Sequence, residues 1–306
     1  MITNLDGTSA LFLANVSRIQ QKLDDANQQL ASGKKLNSAS DAPDQVGVLL
    51  QLRTNEQRNS QIQSNLTLAE TDATSADDTL SDAIQLMDRA VSLAAQGANS
   101  SMDAQSRQSL ALQVEAIQQA MVADSRAQVQ GNYIFSGDQP GAPAYQIDLN
   151  AAKGVDELSN AAATRVIEDP TGGRFTASET AQQIFDETDA NGNPTANNVF
   201  AALNNLRLAL MKNDQPGVTN SVSALKQASD HLNDMQAFYG GVETRIQNAS
   251  DFAGKYDVQL QTEISNTEDA DPTTAAMNLT QANSEMQAAF QMEGLMPRKS
   301  LFEYLA

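Results

Sequence analysis

Residues 62–94 read IQSNLTLAETDATSADDTLSDAIQLMDRAVSLA. Ile62, Leu66, Ala69, Ala73, Ala76, Leu80, Ala83, Met87, Ala90 and Ala94 follow one another by alternating steps of four and three. That alternation puts them all on a single helix face, in the manner of a coiled coil. Alanine at so many of these positions lets a partner helix come close. Val48 and Leu52 extend the series backward, with polar Asn55 and Asn59 before Ile62. A helix over about 44–95 would run roughly 75 Å at 1.5 Å per residue. Gly97-Ala98-Asn99-Ser100-Ser101 ends it.

The same rhythm occurs on either side. Phe12, Val16, Ile19, Leu23, Ala26 and Leu30 mark a first helix, with Gly33 as its C-cap. Asp41 or Ala42 with Pro43 behind it starts the long helix, Pro43 near its first turn. A third helix is predicted over about 103–130 from Leu110, Val114, Ile117 and Met121. Gly131-Asn132-Tyr133-Ile134-Phe135-Ser136-Gly137 then reads as a short Gly-flanked strand. Turn signals at Pro140-Gly141, Asp169-Pro170, Gly172-Gly173 and Asn191-Gly192 predict a β-rich insertion over 138–197.

Helices resume near Asn198, with Phe200, Leu203, Leu206 and Leu210. A second very long helix carries Ala228, Leu232, Met235, Tyr239, Val242, Ile246, Ala249, Ala253, Tyr256 and Leu260, again by fours and threes. Gly240-Gly241 interrupts it, at about 1 kcal/mol per glycine. Asp271 as N-cap and Pro272 behind it open a last helix with the seam Ala275, Leu279, Ala282, Met286 and Ala289. The expected fold is mainly α with a small β-rich insertion. It is a long antiparallel helical bundle or coiled coil in which N- and C-terminal segments pair. Three parts are expected: 1–42 with 272–306, 43–137 with 198–271, and 138–197. One narrow apolar seam leaves an isolated helix marginal in water. Both end helices are therefore expected to order only against other chains.

Composition narrows the function. The 306 residues hold no Cys, no Trp and one His, and carry a net charge of −19. Without Cys there are no thiolate nucleophiles, disulfides or Cys-based metal sites, and one His excludes a multi-His metal site. Thirty-eight acids against 19 bases argue against nucleic acid, whose binding runs on Lys and Arg. No apolar run approaches the roughly 20 residues of a membrane span. The first residues, MITNLDGTSALFLANVSRIQ, lack the basic start, apolar run and cleavage site of an export signal.

The isolated chemical motifs read as structure. His231 precedes the seam residue Leu232 and is expected at a helix flank. Ser32-Gly33-Lys34-Lys35 matches Ser-x-x-Lys, but no SDN or KTG element accompanies it, and a capped helix end explains it. Glu187-Thr188-Asp189-Ala190-Asn191-Gly192 resembles the start of a calcium loop, yet position twelve is Asn198, so a polar turn is expected. Glu268-Asp269-Ala270-Asp271 places favourable charge before a helix. No catalytic residue, metal site or cofactor is expected.

Leu30-Ala31-Ser32-Gly33-Lys34-Lys35-Leu36-Asn37-Ser38-Ala39-Ser40-Asp41-Ala42-Pro43 resembles the L-S-S-G-K-R-I-N-S-A-x-D-D-P signature of the bacterial flagellin superfamily. Asn65 to Asn99 resembles its first long core helix, and Glu268-Asp269-Ala270-Asp271 through Asn283 its C-terminal helix. Within that superfamily, Gly131 to Gly137 and the tail Ser300-Leu301-Phe302 are more similar to the hook–filament junction branch than to filament subunits. Met296-Pro297-Arg298-Lys299 departs from the family by breaking the last helix before the tail.

The resemblance implies a structural subunit that self-associates in a ring. Its partners would be the hook-side junction protein, flagellin and a flagellar export chaperone, with no nucleic acid or membrane partner. The chain would leave the cell unfolded, through the flagellar type III apparatus, and reside in the extracellular flagellum. The assembly interface expected from the terminal seams is Phe12, Val16, Ile19, Leu23, Leu30, Leu279, Met286, Leu301 and Phe302. The rival expectations are a filament subunit, or a ligand-binding module in 138–197.

Overall fold

The computed structural model describes residues 7–38, 40–161 and 163–295. In chain order these form α1 (Gly7–Ser32), α2 (Pro43–Gly97), α3 (Ala104–Asp124), β1 (Gln128–Val129), β2 (Asn132–Tyr133), β3 (Tyr145–Ile147), β4 (Val155–Glu157), β5 (Val166–Glu168), β6 (Arg174–Thr176), α4 (Ala181–Phe185), α5 (Val199–Met211), α6 (Gln215–Glu268) and α7 (Pro272–Leu295). The fold is mainly α, with the strands paired as three antiparallel two-stranded sheets, β1–β2, β3–β4 and β5–β6. Two compact units emerge. One holds the described residues up to Arg58 and from Tyr256 onward, and the other spans Asn59–Lys255.

Helix limits follow local chemistry. Gly33 takes φ +72°, which glycine adopts freely, and its N–H closes on the Gln29 carbonyl at 2.9 Å to stop α1. The Asp41 carboxylate accepts the N–H groups of Asn37 and Ser38 at 2.8 and 2.7 Å, tightening the turn before Pro43. Asp103 caps α3 by accepting the Ser106 N–H at 2.7 Å, and Asn198 caps α5 through Ala201 at 2.8 Å.

In the second unit, the alanine-rich face of α2 is buried from Leu66 to Ala94, as the spacing requires. Around it lies an aromatic cluster. Phe135 meets Phe185 at 5.8 Å and Tyr239 at 6.3 Å between centroids, while Phe200 meets Tyr145 at 5.1 Å. Such pairs add about 0.5–1.5 kcal/mol each beyond their buried area. Arg107, buried, ties the loops at one end of α2 and α3. It donates to the carbonyls of Gly97 and Asn99, both at 2.9 Å, and to Asn213 Oδ1 at 2.5 Å.

Two expectations change here. The third helix ends at Asp124, short of residue 130: past the Ser125 cap the Arg126 and Ala127 N–H groups turn back on the Ala123 and Asp124 carbonyls, both at 3.0 Å, and positive φ at Gln130 and Gly131 then closes the β1–β2 hairpin. The strand expected over Tyr133-Ile134-Phe135 stops at Tyr133. Ile134 and Phe135 are both buried, so the two neighbours share the core instead of alternating between faces. The inserted segment also contains a helix, α4, whose Thr180 cap and Gln183 form a reciprocal capping box.

The β3–β4 hairpin is fastened by side chains that spacing alone does not reveal. Gln118, Asn204 and Arg207 donate to the carbonyls of Lys153, Ala152 and Leu149 at 3.1, 2.9 and 3.0 Å. Lys153 pairs with the fully buried Asp186, which also accepts from Asn198 Nδ2 at 2.7 Å. Gly154 takes φ +74°, and a Cβ there would lie 2.1 Å from Gln118 Nε2.

Candidate assembly site

Helices α1 and α7 pack against each other within the first unit. Phe12 lies near Phe290, with ring centroids 6.5 Å apart, and Lys22 Nζ is 3.0 Å from Glu285 Oε2 further along. Residue numbers rise along α1 as they fall along α7, so the pair is antiparallel. On α1, Ile19 and Ala26 are buried while Phe12, Val16 and Leu23 are half-buried. On α7, Ala275 and Ala282 are buried while Leu279, Met286 and Ala289 are half-buried. Ala26 and Ala282 line a shallow cleft rimmed by Lys22, Asp25, Gln29 and Glu285.

At the end of this pair the two signature segments meet. The Ala270 N–H donates to the Gly33 carbonyl at 2.9 Å, and the Lys35 N–H to the Glu268 carbonyl at 2.8 Å. The Lys35 ammonium donates to the Asn266 carbonyl at 2.9 Å. Glu268, only 5% exposed, receives Arg53 Nη2 on both oxygens, at 2.6 and 2.7 Å, and Lys34 at 2.6 Å. Burial works against the Glu268 charge, but the hydrogen bonds and charges of Lys34 and Arg53 outweigh it and hold the carboxyl below its usual range. Asp271 accepts from the Thr274 hydroxyl at 2.7 Å and the Thr273 N–H at 2.9 Å, which lower its pKa and start α7.

The expected interface residues are thereby distributed. Phe12, Val16, Ile19, Leu23, Leu279 and Met286 carry the same seam spacing and lie at least half covered on the paired helices. Leu30 is 39% exposed, and Leu301 and Phe302 lie outside the described residues, as does the break at Met296-Pro297. Seam spacing does not pick out the apolar side chains that stay open to solvent. On the same two helices these are Leu11, Leu13, Met277, Phe290 and Met292, each more than half exposed.

The remaining motifs are occupied locally. His231 Nε2 lies 2.9 Å from the Gln183 carbonyl at a helix flank. The Ser32 hydroxyl donates to the Gln28 carbonyl at 2.7 Å. Asp189 accepts the N–H groups of Asn193 and Asn191 at 2.9 and 2.8 Å, which hold its carboxyl below the usual range. Among the described residues no cluster of three or more His, Cys, Asp or Glu could hold a metal ion, and no helix is long and apolar enough to cross a membrane.

Solved structures share this fold. A Vibrio parahaemolyticus protein described as a flagellar hook-associated protein superposes with TM-score 0.63 at 21% identity, over 75% of this chain and 100% of its own. The Legionella pneumophila flagellar hook associated protein-3 gives 0.60 at 11%, over 71% and 98%. FlgL of Bacillus cereus gives 0.54 at 17%, over 73% and 100%. No curated protein sequence matches significantly. Residues 4–139 match the family model of the bacterial flagellin N-terminal helical region, and residues 222–305 that of the bacterial flagellin C-terminal helical region. With both helical regions present at the two ends, the chain belongs to the bacterial flagellin family.

Proposed function

We propose that this chain is a structural subunit of the hook–filament junction, an adaptor ring between hook-side proteins and the flagellin filament. The observation that carries the reading is the clasped α1–α7 pair with large apolar side chains left exposed on both helices. The seam of Phe12, Val16, Ile19, Leu23, Leu279 and Met286 closes one chain on itself. Leu11, Leu13, Leu30, Met277, Phe290 and Met292 remain to meet neighbouring copies. Burying each such side chain contributes roughly 1.5–3 kcal/mol, so a ring gains at every contact. The likeness to hook-associated proteins over almost their whole length supports the junction over the filament.

The role is architectural, without catalysis. The three-part division belongs to the same proposal: ends for assembly, long helices for a core, and 138–197 facing outward. Export as an unfolded chain, with a dedicated chaperone and no cleaved peptide, completes it. Deleting the gene tests the reading. The expected phenotype is bare hooks with flagellin shed into the medium. Attached, normal filaments would overturn it, and bare hooks with no flagellin in the medium would make the chain a filament subunit.

A further inference from the structure

Four of the ten methionines fall within residues 277–296, and the 306-residue chain has no Cys and no Trp. Where no thiol competes, the methionine thioether is the group that a peroxide attacks. Exposure then decides which sulfur reacts. Met87 and Met121 are fully buried in the second unit. Met211 on α5 is half exposed, but Arg207 Nη1 donates to its sulfur at 3.3 Å. Met277 and Met292 on α7 are 68% and 66% exposed, the most open methionines among the described residues.

Their position gives the modification an effect. The two stand toward opposite ends of α7, roughly 22 Å apart along the helix axis at 1.5 Å per residue. Met292 lies just beyond Phe290, the ring that meets Phe12 of α1, and Met277 lies in the second turn after the Asp271 cap. Both belong to the exposed apolar set through which, on the junction reading, copies meet. Methionine is an adaptable apolar contact. Its sulfoxide is polar, and burying that oxygen without a hydrogen bond is unfavourable.

We propose that Met277 and Met292 are modification sites: in the free chain hydrogen peroxide converts them to sulfoxides, and the oxidised α7 no longer joins neighbouring copies. A sulfur lone pair attacks one peroxide oxygen, the O–O bond breaks and the S–O bond forms. The departing hydroxide takes the remaining proton and leaves as water, so sulfur is oxidised and peroxide reduced. The effect on assembly rests on the junction reading, whereas the choice of sites does not.

Peptide mass spectrometry of the purified full chain in dilute hydrogen peroxide tests the sites. Met277 and Met292 should gain oxygen at least about tenfold faster than Met87 and Met121. Equal rates would overturn the assignment. Retention of purified chain on the bare hooks of cells lacking the gene tests the effect. Peroxide treatment should cut retention at least about fivefold. M277L/M292L is apolar, of similar volume and unable to take up oxygen, and should keep its retention after the same treatment. Undiminished retention of the oxidised wild type, or equal loss in M277L/M292L, would overturn the effect on assembly. Failure of the untreated wild type to bind bare hooks would overturn the junction reading and that effect with it, and the mass spectra would still decide the sites.

Discussion

Arg53 and Lys34 meet on the single buried carboxylate of Glu268, with Arg53 reaching it across 215 residues of sequence. One cation comes from the turn after α1, one from α2, and the acid from the end of α6. The contact therefore joins the third turn of α2 and the end of α6 to the turn after α1.

The Glu268 carboxyl is held below its ordinary value of 4.5. A depressed acid contributes stability above its unfolded pKa, and that contribution is lost as pH falls through the folded value. Protease resistance of the 33–38 turn should hold from neutral pH to about pH 5 and then fall. Glu268→Gln should show the acid level of resistance at every pH. Because Lys34 and Arg53 are nearly half exposed, the effect should shrink in high salt. A pH profile unchanged by the substitution would contradict the clasp.

Asp124 behaves oppositely. Burial, and then the nearby charge of Asp82, push its carboxyl up from 3.8 to about 6. The folded chain binds the extra proton between those values, so stability declines as pH rises through that window. Asp124→Asn should stabilise the chain at pH 7 by about 1–2 kcal/mol, less than the full shift because solvent reaches part of the carboxyl, and the gain should vanish near pH 4. Chemical denaturation at the two pH values measures it.

Gly154→Ala should destabilise the second unit by about 2 kcal/mol or more, through strain at positive φ and collision with Gln118. Thermal unfolding of the variant checks the value. Gly33→Ala, with φ +72° but open space around it, should cost less.

Much of this was legible in the sequence, for definite reasons. Steps of four and three fix a helix face whatever covers it, so the buried row from Leu66 to Ala94 could be read directly. Caps at Gly33 and Asp271 are local chemistry and equally readable, whereas Asp103 and Asn198 are legible only as approximate helix starts. Ile134 and Phe135 misled because an apolar pair flanked by glycines fits a strand as well as a core-filling turn. Arg107, Asp186 and Asn204 act through carbonyls far along the chain, which no spacing reveals. At the site, spacing marked Ile19 and Leu279 but gave no sign of Leu11 or Met292, which lie off the seam and stay exposed.

Leu23→Asp should abolish entry into flagella while leaving the second unit folded. The charge falls on the half-covered α1–α7 seam, outside the Asn59–Lys255 unit. Circular dichroism of the purified variant together with its yield in sheared flagella measures both. Normal incorporation would show that the seam does not govern assembly.

Immunogold labelling of sheared flagella with antibody to this chain tests the junction role most directly. The account predicts one gold cluster per flagellum, at the boundary of hook and filament. Label along the whole filament would contradict it and make the chain a filament subunit.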